Sequence, residues 1–148
     1  MKRTQELLVV AAIAFSAGLA GCSGASDEAP EPSDNVSSPQ IGAVRDVSVS
    51  EASELIAGGD AVVVLDVRTP GEFSEGHIEG AVNVDVRSED FAEQLAKLDR
   101  GSTYVLHCKS GARSTRALAV MEEQGFENIA HMTGGFDAWK EAGLEQAQ

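Results

Sequence analysis

The sequence feature that most constrains the fold is an uninterrupted apolar run, Ala-Val-Val-Val-Leu, at residues 61–65, which ends at Asp66. β-Branched residues favour extended backbone, and a run without polar alternation is typical of a strand that is covered on both faces. Such strands occur in parallel sheets, whose crossover connections place helices over the sheet. The run therefore predicts an α/β fold with helices on both faces of a central sheet.

Strand and helix patterns alternate along the chain from about residue 41. Besides the apolar run, short strands are predicted at residues 47–49, 81–84, 103–107 and 128–131. Helical segments are predicted after an N-cap at Ser50, at residues 69–73, after an N-cap at Ser88, and at residues 115–123 and 136–142. This order predicts one domain at residues 41–148, with about five mainly parallel strands.

The first residues have the pattern of an export signal. Lys2 and Arg3 precede an apolar stretch at residues 7–19, which is shorter than the roughly 20 residues of a membrane-spanning helix. The stretch ends in Leu-Ala-Gly-Cys, and small residues before Cys22 resemble the lipobox of bacterial lipoproteins. The resemblance implies that residues 1–21 are removed and that Cys22 is lipidated. We therefore expect an exported chain, anchored to the cell membrane by lipid with its domain on the extracytoplasmic side; a plain signal peptide with an incidental cysteine is the alternative.

Residues 23–40 differ in composition from the rest of the chain. They hold three of its four prolines, four acidic residues and no basic residue. Such a segment buries too little apolar surface to offset its conformational entropy, so residues 22–40 are predicted to be the lipidated cysteine and a disordered tether. The net charge of -13 argues against a sequence-wide basic surface, and no nucleic-acid partner is expected.

The chemically informative segment is His-Cys-Lys-Ser-Gly-Ala-Arg-Ser at residues 107–114. Cys108 falls between a predicted buried strand and a predicted helix, at the edge where open parallel sheets bind ligands. A short loop that enters a helix directs several backbone N–H groups to one point and forms an anion site, and Gly111 permits the tight bend. The same field lowers the pKa of the Cys108 thiol. The segment predicts a thiolate nucleophile that faces an oxyanion pocket.

The charge around this cysteine supports a functional role. Residues 103–121 contain no acidic residue but include Lys109, Arg113 and Arg116. Such a positive window in an acidic chain attracts anions. An inert buried cysteine beside solvated bases is the alternative, and the loop, the glycine and the bases together disfavour it.

Three motifs point to a known family. Residues 65–73, Leu-Asp-Val-Arg-Thr-Pro-Gly-Glu-Phe, are followed by Gly-His-Ile-Glu-Gly-Ala-Val-Asn at residues 76–83. The Cys108 loop with Gly111, Arg113 and Ser114 is the second motif, and residues 133–136, Thr-Gly-Gly-Phe, with Trp139 are the third. In order and spacing they resemble a single rhodanese domain, over residues 45–145.

The resemblance implies a sulfurtransferase with a fold like that of rhodanese. The Cys108 thiolate would attack the outer sulfur of thiosulfate or a similar small anionic donor, and sulfite would leave a persulfide on Cys108. Cyanide or a thiol would then accept the sulfur. The loop residues that would hold the donor and the persulfide are Lys109, Ser110, Gly111, Ala112 and Arg113. Lys109 favours an anionic donor, whereas the neutral Ser110 leaves the identity of the donor open; no cofactor is implied.

Two other functions stay open at this point. The domain could be a sulfur carrier or binding module without turnover, although a pure docking domain need not keep a cysteine at position 108. A cysteine-dependent phosphatase or arsenate reductase has a similar cysteine–arginine loop, but that loop places five residues between the two. Here four residues separate Cys108 from Arg113, so the smaller ring suits a sulfur atom better than a phosphoryl group.

The remaining polar and aromatic candidates are interpreted mainly as structural. Asp66 and Arg68, at the end of the apolar run, and Ser114 are expected to support the cysteine loop. His77 is expected to fix a turn, His107 to point away from Cys108, and His131 to lie at the surface or in a turn. The aromatic residues expected in the core are Phe73, Phe136 and Trp139. The histidines have no metal-ligand spacing, and no metal site is expected.

Overall fold

The computed structural model describes residues 44–58 and 61–148, so the predicted signal peptide, Cys22 and the tether lie outside the described residues. The sheet has five strands in the order β1-β5-β4-β2-β3, and every pairing is parallel. The strands are β1 (Val44–Val47), β2 (Val62–Asp66), β3 (Val82–Asn83), β4 (Thr103–His107) and β5 (Asn128–Met132). The predicted α/β class with a parallel five-stranded sheet is confirmed.

Helices cover both faces of the sheet, as the apolar run predicts. They are α1 (Val49–Ala57), α2 (Pro70–Ser74), α3 (Phe91–Leu95), α4 (Ala112–Glu123) and α5 (Gly135–Glu141). Successive residues of a strand point to opposite faces. Leu106 of β4 accordingly packs in a buried cluster with Met121 of α4, whereas its neighbour Val105 packs in a second cluster with Trp139 of α5. The central strands therefore have apolar side chains on both faces.

The start of α1 differs from the prediction. Ser48, not Ser50, is the N-cap, and its hydroxyl accepts a hydrogen bond from the N–H of Glu51 at 3.2 Å. The Glu51 carboxylate in turn accepts from the N–H of Ser48 at 2.8 Å, which completes a capping box. Because this box ends the strand at Val47, Val49 is the first helical residue and not part of the strand.

Two further helix starts differ. The predicted N-cap Ser88 donates its hydroxyl to the Asp90 carboxylate, and α3 begins only at Phe91 without a side-chain cap. The helix that was predicted to begin at Thr115 begins at Ala112, because the N–H of Thr115 already bonds to the carbonyl of Gly111. The first turn of α4 thus includes Arg113 and Ser114, which brings both close to the cysteine loop.

The predicted aromatic core is confirmed for Phe136 and Trp139, which are buried. Phe73 is only half-buried and stacks on the His77 ring, with 3.9 Å between ring centroids. Nδ1 of His77 lies 3.0 Å from the Phe73 carbonyl, so His77 holds the turn after α2 as predicted. None of the helices in the described part of the chain has the length and apolar character to cross a membrane.

Candidate active site

Cys108 directly follows β4, the middle strand of the sheet, at its carboxyl end. Lys109, Ser110 and Gly111 connect it to α4, which begins at Ala112. Gly111 has a φ of 108°, a conformation that side chains with a Cβ atom rarely adopt. The turn at Gly111 brings the chain back toward the end of the strand, so the loop of residues 108–111 folds around its own cysteine.

Hydrogen-bond donors surround the Cys108 sulfur. The N–H of Gly111 lies 3.2 Å from Sγ, and the Ser114 hydroxyl lies 3.5 Å from it. Burial of the residue, which is 1% exposed, raises the pKa of the thiol. The Ser114 hydroxyl and the backbone N–H groups of Ser114, Gly111 and Ser110 outweigh burial and leave the pKa of Cys108 below its usual value. The thiol is therefore buried yet poised to ionise, as the sequence predicts for a nucleophile.

The carbonyl groups of the same loop bond to α5. The N–H of Phe136 donates to the carbonyl of Cys108 at 2.8 Å, and that of Asp137 donates to the carbonyl of Lys109 at 2.9 Å. This close approach needs glycine at position 135, because a Cβ atom there would lie 2.5 Å from the Cys108 carbonyl oxygen. Because the α5 backbone bonds to the carbonyls of Cys108 and Lys109, the N–H groups of the loop point toward the sulfur. Of the two adjacent glycines in the third motif, Gly135 is the one that lies against the cysteine loop.

The guanidinium of Arg113 forms a bidentate ion pair with Glu72 of α2. Its two terminal nitrogens lie 2.6 and 2.7 Å from the two carboxylate oxygens. Arg113, together with the bonds from Thr69 that cap α2, lowers the pKa of Glu72 to about 2. Arg113 was predicted as a site residue and Glu72 was not, although Glu72 lies inside the first family motif. The positive charge of Arg113 is therefore already paired with Glu72 and is not that of an isolated cation.

The other predicted donor-binding residues lie at the surface. The side chains of Lys109, Ser110 and Ala112 are exposed, while the N–H groups of Ser110 and Gly111 face the sulfur. Backbone groups of the loop, more than its side chains, contact the reactive atom. The binding of a donor by these residues stays a prediction.

Asp66 and Arg68 form a buried ion pair at the end of β2. Nε and Nη2 of Arg68 bond to the Asp66 carboxylate, and Nη2 also donates to the carbonyl of Gly76 at 2.8 Å. Neither side chain bonds to the cysteine loop, because the buried guanidinium finds its acceptors in Asp66 and Gly76. Arg68 instead lies 4.1 Å from the ring centroid of Phe136, whose N–H bonds to Cys108. The predicted support of the loop is therefore indirect.

His107 is fully buried beside this pair. Its side chain stacks on Phe136, in the cluster that α1 and α5 cover, and so points away from the Cys108 side chain as predicted. Nδ1 lies 3.2 Å from the Cys108 carbonyl. Nε2 has no hydrogen-bond partner among the described residues, and the Asp66 carboxylate lies 3.9 Å from it. Burial lowers the pKa of His107, so its ring is neutral at physiological pH.

His131 is not at the surface or in a turn, and this prediction was wrong. It lies in β5 and is buried, with Nδ1 2.7 Å from Asp46 and Nε2 2.8 Å from the Ser114 hydroxyl. The parallel pairing of β1 with β5 places Asp46 directly opposite His131. No local spacing in the sequence reveals this contact, because it joins residues 85 positions apart through the strand order.

These contacts define the chemistry that the site can perform. A cysteine with a lowered pKa lies at the carboxyl end of a parallel sheet, within a ring of amide donors that can stabilise negative charge. No group of three or more potential metal ligands lies together within residues 44–58 and 61–148. The fold and site define an α/β domain with an ionisable cysteine in a loop of amide donors. The chain belongs to the rhodanese-like domain family, whose model matches residues 48–142.

Several known proteins are similar to this chain. Thiosulfate sulfurtransferase 16 of Arabidopsis thaliana is 36% identical over an alignment of 108 residues, which covers 66% of this chain and 88% of that protein. The probable adenylyltransferase/sulfurtransferase MoeZ of Mycobacterium tuberculosis is 37% identical over 93 residues, 63% of this chain but only 24% of the length of that relative. The crystal structure of a rhodanese-related protein from Thermoplasma volcanium matches with a TM-score of 0.62 and 30% identity, over 70% of this chain and 97% of that one.

Proposed function

We propose that this protein is a sulfurtransferase that carries a sulfane sulfur as a persulfide on Cys108. The observation that supports this most directly is the N–H of Gly111, 3.2 Å from a buried Sγ whose pKa is lowered. A small ring of amide donors stabilises a thiolate and, by the same contacts, the negative outer sulfur of a persulfide. The family and the names of its sulfurtransferase relatives agree with this chemistry.

The proposed donor is thiosulfate or another small anion with a sulfane sulfur. The Cys108 thiolate attacks the outer sulfur of thiosulfate, the sulfur–sulfur bond of the donor breaks, and sulfite leaves with its electron pair. A thiolate or cyanide then attacks the outer sulfur of the persulfide, and Cys108 leaves as a thiolate. Lys109 is the exposed cation nearest the reactive atom in sequence, and we propose that it attracts the anionic donor.

The test is formation of thiocyanate from thiosulfate and cyanide by the full-length protein. We expect Cys108→Ser to abolish turnover, whereas Cys22→Ser, the same substitution at the other cysteine of the chain, should leave it intact. Turnover that survives Cys108→Ser would contradict the proposal. Absence of thiocyanate, with a mass gain of one sulfur on Cys108, would indicate a carrier instead. Hydrolysis of an aryl phosphate would indicate a phosphatase, which the four-residue spacing between Cys108 and Arg113 disfavours.

We also propose that the protein is exported and held at the membrane by lipid on Cys22. The support is in the sequence: the basic start, the short apolar stretch and the small residues before the cysteine. The acidic segment at residues 23–40 would then separate the domain from the membrane surface. In cell fractionation we expect Cys22→Ala to move the protein out of the membrane fraction. Membrane association that persists in this variant would contradict the lipid anchor.

A further inference from the structure

A continuous series of side-chain contacts leads from the protein surface to Cys108. The Asp46 carboxylate, which is 71% exposed, lies 2.7 Å from Nδ1 of His131. Nε2 of His131 lies 2.8 Å from Ser114 Oγ, which in turn lies 3.5 Å from Cys108 Sγ. The four residues come from β1, β5, α4 and the end of β4. The sulfur transfer proposed above gives no role to Asp46 or His131.

The direction of each hydrogen bond in this series follows from the chemistry of the groups. A carboxylate only accepts, so Nδ1 of His131 carries a proton that it donates to Asp46. In a neutral ring Nε2 is then an acceptor, and the Ser114 hydroxyl is the donor in contact with it. While Cys108 is a thiol, the lone pairs of Ser114 Oγ can accept from it; once Cys108 is a thiolate, the Ser114 hydroxyl donates to the sulfur. The carbonyl of Gly111, 2.8 Å from Ser114 Oγ, competes for the single hydroxyl proton.

We propose that His131 accepts the thiol proton of Cys108 through the Ser114 hydroxyl, while Asp46 holds the imidazole in the required orientation. The S–H bond of Cys108 breaks as Ser114 Oγ gains that proton, and the original O–H bond breaks as Nε2 of His131 gains its proton. The products are a Cys108 thiolate and a His131 imidazolium, with the new Ser114 hydroxyl proton directed at the sulfur. Asp46 and His131 act through Ser114 and are positioning residues for the thiol.

Burial favours this internal transfer over loss of the thiol proton to solvent, which would leave one uncompensated charge in the site. Cys108 and His131 are 1% and 7% exposed, and an uncompensated charge at either position would be costly. Moving a proton between them leaves the net charge of the site unchanged. In the described part of the chain, the charged groups near this series include Asp46, which faces the imidazole, and Arg113, which neighbours the thiol and is paired with Glu72. Lys109 follows Cys108 directly, and its side chain is exposed. Asp46 is hydrated and can stabilise the imidazolium without being buried itself.

The test is a titration of the Cys108 thiolate by its ultraviolet absorbance, in the full-length chain with Cys22→Ala so that one thiol remains. His131→Gln keeps an amide that can donate to Ser114 but cannot accept a proton. We expect the thiolate-to-thiol ratio at neutral pH to fall about tenfold, which corresponds to a rise of about one unit in the pKa of Cys108. His77→Gln, the same substitution at a histidine outside this series, should leave the titration unchanged.

Two smaller substitutions keep the proposal testable if His131→Gln does not fold. Ser114→Ala removes the intervening hydroxyl and should lower the thiolate fraction by a similar factor. Asp46→Asn alters an exposed side chain and should lower it about threefold, since exposed ion pairs contribute little. If the folded His131→Gln and Ser114→Ala proteins titrate with the same Cys108 pKa as wild type, the inference is overturned.

This inference deepens the proposed function and rests on it for its purpose, but the two can fail separately. The titration uses no sulfur donor. A raised pKa in His131→Gln, together with a wild-type protein that forms no thiocyanate, would support the proton transfer and contradict the sulfurtransferase proposal. Normal thiocyanate formation with an unchanged titration would contradict the proton transfer alone.

Discussion

Two arginine–carboxylate pairs adjoin the cysteine loop, and they differ in burial. The side chains of Arg68 and Asp66 are 4% and 0% exposed, whereas those of Arg113 and Glu72 are 15% and 28% exposed. A buried ion pair depends on partners within the protein, and Nε and Nη2 of Arg68 bond to Asp66 and to the carbonyl of Gly76. A partly exposed pair can exchange its partner for water or for an anion. The same type of ion pair is thus part of the buried scaffold at Asp66–Arg68 and lies at the candidate site at Arg113–Glu72.

The two pairs also connect to Cys108 in different ways. Arg68 packs on the ring of Phe136, whose N–H holds the Cys108 carbonyl, so the buried pair acts on the shape of the loop. Arg113 stands in the first turn of α4, next to the loop, so the exposed pair acts on its charge. The comparison predicts that disruption of the first pair affects mainly stability and that disruption of the second affects mainly function.

The largest expected effect is that of Arg68→Ala. It leaves the carboxylate of Asp66 buried without its partner, which should lower the free energy of unfolding by about 3–5 kcal/mol. Arg113→Ala is the matched control, because Glu72 can be hydrated there, and its loss should be about 1 kcal/mol. Urea denaturation of both variants measures the difference. Equal losses would show that burial does not distinguish the pairs.

The next effect concerns the attachment of the loop to α5. Gly135→Ala forces a Cβ atom against the Cys108 carbonyl, at a φ of 60°, and should cost about 2–4 kcal/mol of stability along with thiocyanate formation. Gly143 has a similar φ of 71°, but a Cβ atom there would have no atom of residues 44–58 or 61–148 within 4 Å, so Gly143→Ala should cost only about 1 kcal/mol. Thermal denaturation and turnover of the two variants separate the close approach from the backbone cost. Full turnover in Gly135→Ala would show that the loop does not need this contact.

The exposed pair should also make stability depend on pH. Because the pKa of Glu72 is about 2 in the folded protein against 4.5 ordinarily, its stabilisation is fully present above pH 4.5 and is lost as the pH falls toward 2. With an allowance for solvent screening we expect about 2 kcal/mol, shared between the Arg113 pair and the Thr69 cap of α2 and absent in Glu72→Gln.

Urea denaturation of wild type and Glu72→Gln from neutral pH to pH 2 measures this contribution. Glu51→Gln is the control, since Glu51 closes the corresponding capping box of α1 without a bidentate arginine. A difference between wild type and Glu72→Gln that stays constant down to pH 2 would show that the ionisation of Glu72 is not the cause.

Features that depend on neighbouring residues could be predicted from the sequence. The apolar run at residues 61–65 predicts a covered strand, and its β-branched composition is sufficient for that inference. The position of Cys108 between a strand and a helix, and the bend at Gly111, follow in the same way. Helix starts were less certain, because Ser48 and Ser50 are both good capping residues. Only the reciprocal bond with Glu51 selects Ser48.

Features that depend on the order of strands could not be predicted. The contact of Asp46 with His131 requires β1 to pair with β5, and neither residue shows this in its local sequence. The pair of Arg113 with Glu72 likewise joins two helices that are distant in the chain. Both contacts tune the charge around Cys108. The position of the proposed nucleophile is thus a local property of the sequence, whereas its environment is a property of the fold.

The smallest expected effect is that of Lys109→Glu, which tests whether the loop also uses an exposed charge. Lys109 is exposed beside the reactive cysteine, so charge reversal should raise the KM for thiosulfate about threefold to tenfold and leave kcat nearly unchanged. The increase should shrink at high salt, because exposed charges are screened. Lys97→Glu, at another exposed lysine, is the control. An unchanged KM would mean that the loop amides and the Arg113–Glu72 pair recognise the donor without Lys109. The charge that affects donor binding would then come from that pair alone.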